Sequence, residues 1–334
     1  MAQVFVTGGS GFVGRHLIRT LVQRGDTVLA LARSPAAQAA VGALGARPVA
    51  ADLLDVSAEQ LRGCSVVFHS AAVVDEWGPR EHFQKINVEG TAHLLEVARA
   101  AGVQRFVHIG TEAAFAVGPP LVNLDESTPL PDNPLPRYPA TKNVAEKLVR
   151  AASSEAMQTV VVRPRLIWGP DDTSVLPNLV ERVRRGQFAW VGGGRYLTSS
   201  CHVANVVHGA LLAAEKGQGG EAYFLTDGEP APFRDFLSAL LATRGAHPAD
   251  KSIPLGVAKV LARTCEFLWE HLPLPGAPPM TRMAIVLGCQ EVTVSDAKAR
   301  RELGYVPVIS REAGLAELGA PSPGAVAPLA RATR

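Results

Sequence analysis

The 334-residue chain has little of several things, and each shortage removes a class of protein. Its four cysteines, Cys64, Cys201, Cys265 and Cys289, are scattered and form no Cys-x-x-Cys pair. That speaks against a disulfide framework or a zinc site and fits a reducing compartment. No run of about 18 apolar residues occurs, so no membrane-spanning helix is expected. The 33 basic and 31 acidic residues are interspersed, with a net charge of +2 and no long run of one sign. Nothing in that balance directs the whole chain to nucleic acid or to anionic lipid. There is no internal repeat and no low-complexity tract. The N-terminus enters a strand pattern at once, so a cytoplasmic globular protein is the expectation. With 47% hydrophobic residues, the chain can bury a large core.

What is present alternates. Short apolar runs suited to buried strands begin at Gln3, Thr27, Arg47, Ser65, Gln104 and Thr159, and helical stripes separate several of them. Residues 12–24, 81–101 and 138–153 read as helices. Strands alternating with helices predict an α/β fold with a Rossmann-type, doubly wound parallel sheet. After Pro164 the pattern loosens. Residues 168–202 and 227–319 are expected to form a smaller, discontinuous C-terminal substrate lobe. Residues 1–167 and 203–226 form the nucleotide-binding domain, and 320–334 a disordered tail. Within the lobe, residues 257–272 make an amphipathic helix. Lys259, Arg263, Glu266 and Glu270 share one face, and Val257, Val260, Leu261, Cys265, Leu268 and Leu272 the other. The apolar face is expected to pack on the lobe core; the alternative is that it rims a greasy pocket or touches a membrane surface. Residues 118–139 carry seven prolines and read as a long loop forming one wall of the substrate site.

The first strand ends in Thr7-Gly8-Gly9-Ser10-Gly11-Phe12-Val13-Gly14. Gly8 permits a tight turn, Gly11 lets the backbone approach a pyrophosphate, and Gly14 lets the helix pack on the strand. Free amides at the start of the helix then face the phosphates. The second strand ends in Leu31-Ala32-Arg33-Ser34, without the carboxylate that would bind the ribose hydroxyls of NAD. Arg33, with Arg15 beside Gly14, is placed to meet a 2′-phosphate, so NADP(H) is favoured over NAD(H). Asp52 and Leu53 follow the third strand, where the acid either accepts from the adenine amine or caps a helix. His69-Ser70-Ala71-Ala72 follows the fourth, where small residues allow the backbone to approach the cofactor.

Tyr138 and Lys142 stand one helical turn apart and share a face. A neighbouring ammonium favours the phenolate and makes proton transfer to or from a substrate oxygen feasible. Thr111 supplies a hydroxyl at the carboxyl end of the preceding strand. No metal-ligand cluster is expected. The set Thr7-Gly8-x-x-Gly11-x-x-Gly14, Asn87-Val88-x-Gly90-Thr91, Thr111, Tyr138-x-x-x-Lys142 and Arg163-Pro164 resembles the extended short-chain dehydrogenase/reductase superfamily. Within it, Arg163-Pro-Arg-Leu-Ile-Trp-Gly-Pro170 and Cys201-His-Val-Ala-Asn-Val-Val207 resemble the 3β-hydroxysteroid dehydrogenase branch. So do Gly276-Ala-Pro-Pro-Met-Thr-Arg282 and Lys298-Ala-Arg-Arg-Glu-Leu-Gly-Tyr305. That branch includes sterol-4-carboxylate 3-dehydrogenases and 2-alkyl-3-oxoalkanoate reductases.

The resemblance implies a catalytic triad of Thr111, Tyr138 and Lys142, with Asn87 as its supporting asparagine at the head of the long helix. It implies that Pro164 and its neighbours line the nicotinamide, and that two copies pair through the 81–101 and 138–153 helices. The function expected is interconversion of a secondary alcohol and a ketone on a small hydrophobic substrate, a sterol or long-chain 3-oxo acid. The alternatives are a nucleotide-sugar epimerase or dehydratase, for which Arg182, Arg184, Arg185 and Arg195 speak, and a non-catalytic NADP(H)-binding sensor.

Overall fold

A computed structural model describes residues 1–320; the tail expected from residue 320 otherwise lies outside the described residues. In chain order the first half contains β1 (Gln3–Thr7), α1 (Phe12–Gln23), β2 (Thr27–Leu31), α2 (Pro35–Gly42), β3 (Arg47–Val49) and β4 (Val66–His69). Then α3 (Arg80–Phe83) runs through a π-helical turn (Gln84–Glu89) into α4 (Gly90–Ala100). They are followed by β5 (Arg105–Ile109), β6 (Leu121–Leu124), α5 (Tyr138–Ala151) and β7 (Gln158–Pro164). The second half has β8 (Ile167–Trp168), α6 (Leu176–Arg184), β9 (Trp190–Val191), β10 (Leu197–Thr198), β11 (Cys201–His202), α7 (Val203–Lys216) and β12 (Ala222–Leu225). It continues with β13 (Ala231–Pro232), α8 (Phe233–Ala242), β14 (Ser252–Ile253), α9 (Leu255–His271), α10 (Arg282–Gly288), β15 (Val292–Val294), α11 (Ala297–Leu303) and α12 (Arg311–Gly319).

Seven strands form one sheet in the order β12-β7-β5-β4-β1-β2-β3, all neighbours parallel. Because side chains alternate across a strand, Val4 and Val6 pack on one face with Leu17 and Ile18 of α1 and Val206 of α7. Phe5 packs on the other with Leu94 of α4 and Val149 of α5. The strand order reverses between β1 and β4, which opens a crevice at the carboxyl ends of these strands. The register sets Thr7 beside His69, and His69 beside His108, in a row along that edge.

The remaining strands belong to smaller sheets, the largest being β13-β10-β15-β6. The proline-rich stretch thus contains a strand, β6, that the sequence reading treated as loop. It lies at the edge of that sheet, where neighbouring prolines cost no ladder bonds. The two regions are joined at Asp227. Its Oδ1 accepts from the His202 amide (2.6 Å) and Asn205 Nδ2 (2.7 Å), and its Oδ2 from Trp168 Nε1 (2.7 Å) and Ser200 Oγ (2.8 Å). No helix among the described residues is long and apolar enough to cross a membrane.

Helix α9 does not pack by the apolar face expected to turn inward. Ala258, Ala262 and Glu266 are buried, against Val191 and Ile285, while Val260 is 64% and Phe267 59% exposed. The two alanines let the helix approach its neighbours closely. Glu266 is tolerated inside because Arg282 satisfies its carboxylate through the backbone amide (2.7 Å) and Nε (2.5 Å). The packing of the apolar face on the lobe core, expected from its periodicity, is therefore overturned.

Replacing Asp227 by alanine leaves donors of β11, α7 and the Trp168 indole unpaired in a dry joint. The expected loss is about 3–5 kcal/mol, read as a lower midpoint in urea unfolding; an unchanged midpoint contradicts this role.

Candidate active site

The glycine turn is a cradle with little spare space. Gly8 has φ +69°, and a Cβ there would come within 2.7 Å of the Ala71 amide nitrogen. A Cβ on Gly14 would lie 2.1 Å from the Gly8 carbonyl oxygen. Ser70 and Ala71 therefore close one side of the turn, and Ala72 continues from them. No side chain caps α1 and no acid lies in its first turn, so the amides of Phe12 and Val13 are available to an anion. The donor set fits a dinucleotide pyrophosphate. Leu53 is buried in the core under α4, pressed on Gly90, and contributes packing there. Arg33 is 72% exposed at the rim, 3.8 Å from Asp52 Oδ2. Arg15 folds back to donate from Nε to the Ser10 carbonyl (2.9 Å). Pro164 ends β7 in a buried position.

A buried hydrogen-bonded chain joins this cradle to α5. Thr91 donates to the Asn87 carbonyl (2.7 Å), so its oxygen accepts from His69 Nε2 (2.9 Å). His69 Nδ1 is then the acceptor for the Thr7 hydroxyl (2.7 Å), which itself accepts from the Ala71 amide (3.2 Å). Asn87 holds the Val73 amide and carbonyl (2.8 and 3.0 Å) and donates to Thr141 Oγ1 (3.0 Å). Asn87 lies within the π-helical turn rather than at the head of the long helix. The wider turn is a local feature that apolar periodicity does not report. Burial and the Lys142 ammonium push His69 down to about 3 and His108 well below its usual value, so both rings are neutral.

Tyr138 opens α5, half-buried, preceded by Arg137 at φ +66°. The Arg137 guanidinium stacks 3.5 Å over Trp77, donates from Nε to the Gly78 carbonyl (3.0 Å), and reaches Glu270 of α9 (3.3 Å). These contacts hold a backbone conformation that a non-glycine residue rarely adopts. Lys142 donates from Nζ to the Ile109 carbonyl (2.7 Å) and to His108 Nε2 (3.0 Å). Burial lowers it to about 8, with Glu146 partly offsetting. Thr111 donates to Glu112 Oε2 (2.9 Å) and accepts from the Ala113 amide (3.2 Å), while Glu112 Oε1 accepts from Arg165 (3.0 Å).

The phenol differs from expectation. Burial and the Glu112 carboxylate raise its pKa, and the neighbouring Thr111 hydroxyl opposes them only in part. The expected lowering by Lys142 is absent because that ammonium is directed to His108 and Ile109. Glu112, Arg165 and His108 were not singled out in the sequence. Only the Thr111-Glu112 adjacency offered a signal, since a carboxylate beside a site hydroxyl fixes where its proton points. A groove of about 620 Å³ opens above Arg137, between Trp77–Arg80 and Trp269–Gly276. The proline-rich stretch reaches its floor at Arg137.

A model of the 3-beta hydroxysteroid dehydrogenase/isomerase family matches residues 5–256. The chain is similar to a 4-hydroxy-2-methyl-3-oxo-4-farnesyl-3,4-dihydroquinoline-1-oxide ketoreductase of Stigmatella aurantiaca, 49% identical over 315 residues covering 94% of each chain. It is similar to a 2-alkyl-3-oxoalkanoate reductase of Stenotrophomonas maltophilia, 37% identical over 96% of this chain and 99% of that one. Among solved structures, a dTDP-glucose 4,6-dehydratase of Streptomyces venezuelae with NAD bound superposes with a TM-score of 0.74. It is 24% identical, with 95% of each chain covered, and shares the fold.

His69 makes the chain of hydrogen bonds sensitive to acid. The unfolded chain protonates this ring near 6.5 and the folded protein only near 3. Between those values the unfolded state holds the extra proton, so stability falls as pH drops, by about 1.4 kcal/mol per unit from this group. A His69→Gln variant, which takes up no proton, is expected to flatten the slope of unfolding free energy against pH by that amount. An unchanged slope contradicts a neutral, buried His69.

Proposed function

The chain belongs to the 3-beta hydroxysteroid dehydrogenase/isomerase family, and from this we propose that it reduces a ketone on a hydrophobic ring substrate, with NADPH as reductant and Tyr138 as proton donor. One observation carries the reading: a half-buried phenol beside Thr111 stands on the same sheet edge as a dinucleotide cradle, and a buried hydrogen-bonded chain runs from the cradle to Thr141 and the backbone carbonyl of Tyr138. The amides after Gly11 would hold the pyrophosphate, Arg33 the 2′-phosphate, and Lys142 the nicotinamide ribose. Bound there, the nicotinamide supplies a hydride.

The chain's own residues account for the proton. Burial and Glu112 keep the Tyr138 phenol protonated, the state required to protonate a carbonyl oxygen as it gains electron density. This favours reduction as the working direction. Thr111 donates its hydroxyl hydrogen to Glu112 and accepts from the Ala113 amide, so one lone pair of its oxygen is left to accept from the phenol. The relative of Stigmatella aurantiaca is named for a 3-oxo, farnesyl-bearing ring. A ring ketone with an isoprenoid or comparable apolar chain is therefore the substrate class proposed here. The sterol and long-chain 3-oxo acid readings fall in the same class of greasy ketone or alcohol. Pairing of two copies through α4 and α5 remains part of the proposal. Of the four arginines behind a nucleotide-sugar reading, Arg185 is engaged by Glu181 and Arg184 donates to the Arg244 carbonyl, which leaves Arg182 and Arg195 to support it.

Tyr138→Phe is expected to lower turnover by about 10²–10⁴ while NADPH affinity, read by nucleotide fluorescence, stays within about threefold. Retained turnover overturns the role of the phenol. Arg33→Ala is expected to raise the KM for NADPH about tenfold and leave that for NADH unchanged. An equal effect on both coenzymes removes the 2′-phosphate contact.

A further inference from the structure

We propose that the outward face of α9 rests on an anionic lipid surface, placing the groove between Trp77 and Trp269 at the lipid boundary. Val257, Val260, Leu261, Phe267, Leu268 and Leu272 are all exposed. At helical spacing the five on α9, with its C-cap Leu272, fall on one arc of about 140°, interrupted by the exposed Thr264 and His271. A face of this size normally finds a partner, and no described residue of this chain covers it.

The charge around the arc identifies the partner as anionic lipid. No carboxylate lies on it. The two acids of α9 are both engaged by arginines, Glu266 by Arg282 and Glu270 by Arg80 and Arg137. Lys259 and Arg263 flank the helix on one side and make no ion pair among the described residues. An apolar arc bordered by uncompensated cations is the pattern of a helix lying in the plane of a bilayer interface, where the aliphatic side chains enter the acyl boundary and the cations meet phosphates. The whole chain has a net charge of only +2, so the attraction is local to this face.

The same helix lines the groove. Trp269, Glu270 and His271 form one wall, opposite Trp77 and Pro79. A substrate with a long apolar chain would pass from lipid to groove without crossing water. This last point rests on the proposed hydrophobic ketone; the docking surface does not.

Flotation of the full chain with vesicles tests it. With vesicles of one-quarter phosphatidylglycerol in phosphatidylcholine, the protein is expected to float, and to do so less with phosphatidylcholine alone or at high salt. Substituting Val260→Ser and Leu261→Ser together is expected to weaken the partition about tenfold or more. These residues are outside the proposed site, so reduction of a short, water-soluble ketone stays unchanged. Failure of the native chain to float overturns the proposal. So does equal flotation of the double variant, or a dimer by light scattering that only the native chain forms, which would assign the face to a second copy. Flotation needs no turnover: vesicle binding without ketone reduction removes the proposed function, and reduction without binding removes the docking surface.

Discussion

His69 donates to one threonine and accepts from another, and the arrangement of the site follows from that pair of hydrogen bonds. Through Thr7 the ring fixes the end of β1, where the glycine turn begins. Through Thr91 and Asn87 it reaches the π-helical turn and then Thr141 on α5, next to Lys142. Elements far apart in sequence are set in one register by groups that have no water to turn to. Such a chain is stiff because each member is satisfied; removal of any one leaves its neighbours unpaired in a dry interior. The neutral state of the ring is part of the design. A protonated His69 could not accept from Thr7, and it would lie close to the Lys142 ammonium.

The same edge separates two buried charges. Lys142 lies with two neutral histidines on the side of the cradle. Glu112 lies with Arg165 on the side of β10 and α10. Arg165 also donates to the Leu287 carbonyl (2.5 Å) and Thr198 (3.3 Å), so the hydroxyl of Thr111 is tied through Glu112 to the lobe. Arg137 makes a second link, from the residue before Tyr138 to Glu270 of α9.

The sheet was legible because buried parallel strands are short apolar runs and the glycine turn follows the first of them directly. The cradle could be read for the same reason: Gly8 and Gly14 each answer a steric demand that no other residue meets. Where the sequence misled, long-range contacts decided the matter. The periodicity of α9 picked out an apolar and a polar face, but the strip that turns inward is neither of them as a whole: it is Ala258, Ala262 and Glu266. That depended on small residues at Ala258 and Ala262 and on Arg282, distant in sequence, matching Glu266. Likewise, the four-residue step from Tyr138 to Lys142 places them on one face but does not direct the ammonium, which goes to His108 and Ile109 from another strand. The strand β6 escaped notice because its partner, β15, lies about 170 residues away.

The central claim is that the cradle and the phenol act on one carbonyl carbon. It is tested most directly by incubating the full chain with NADPH carrying two deuterons at nicotinamide C4 and a ring ketone bearing an isoprenoid chain, then locating the label by mass spectrometry and NMR. The account predicts an alcohol carrying deuterium on the carbinol carbon. Unlabelled alcohol, or no conversion of any such ketone, would contradict it.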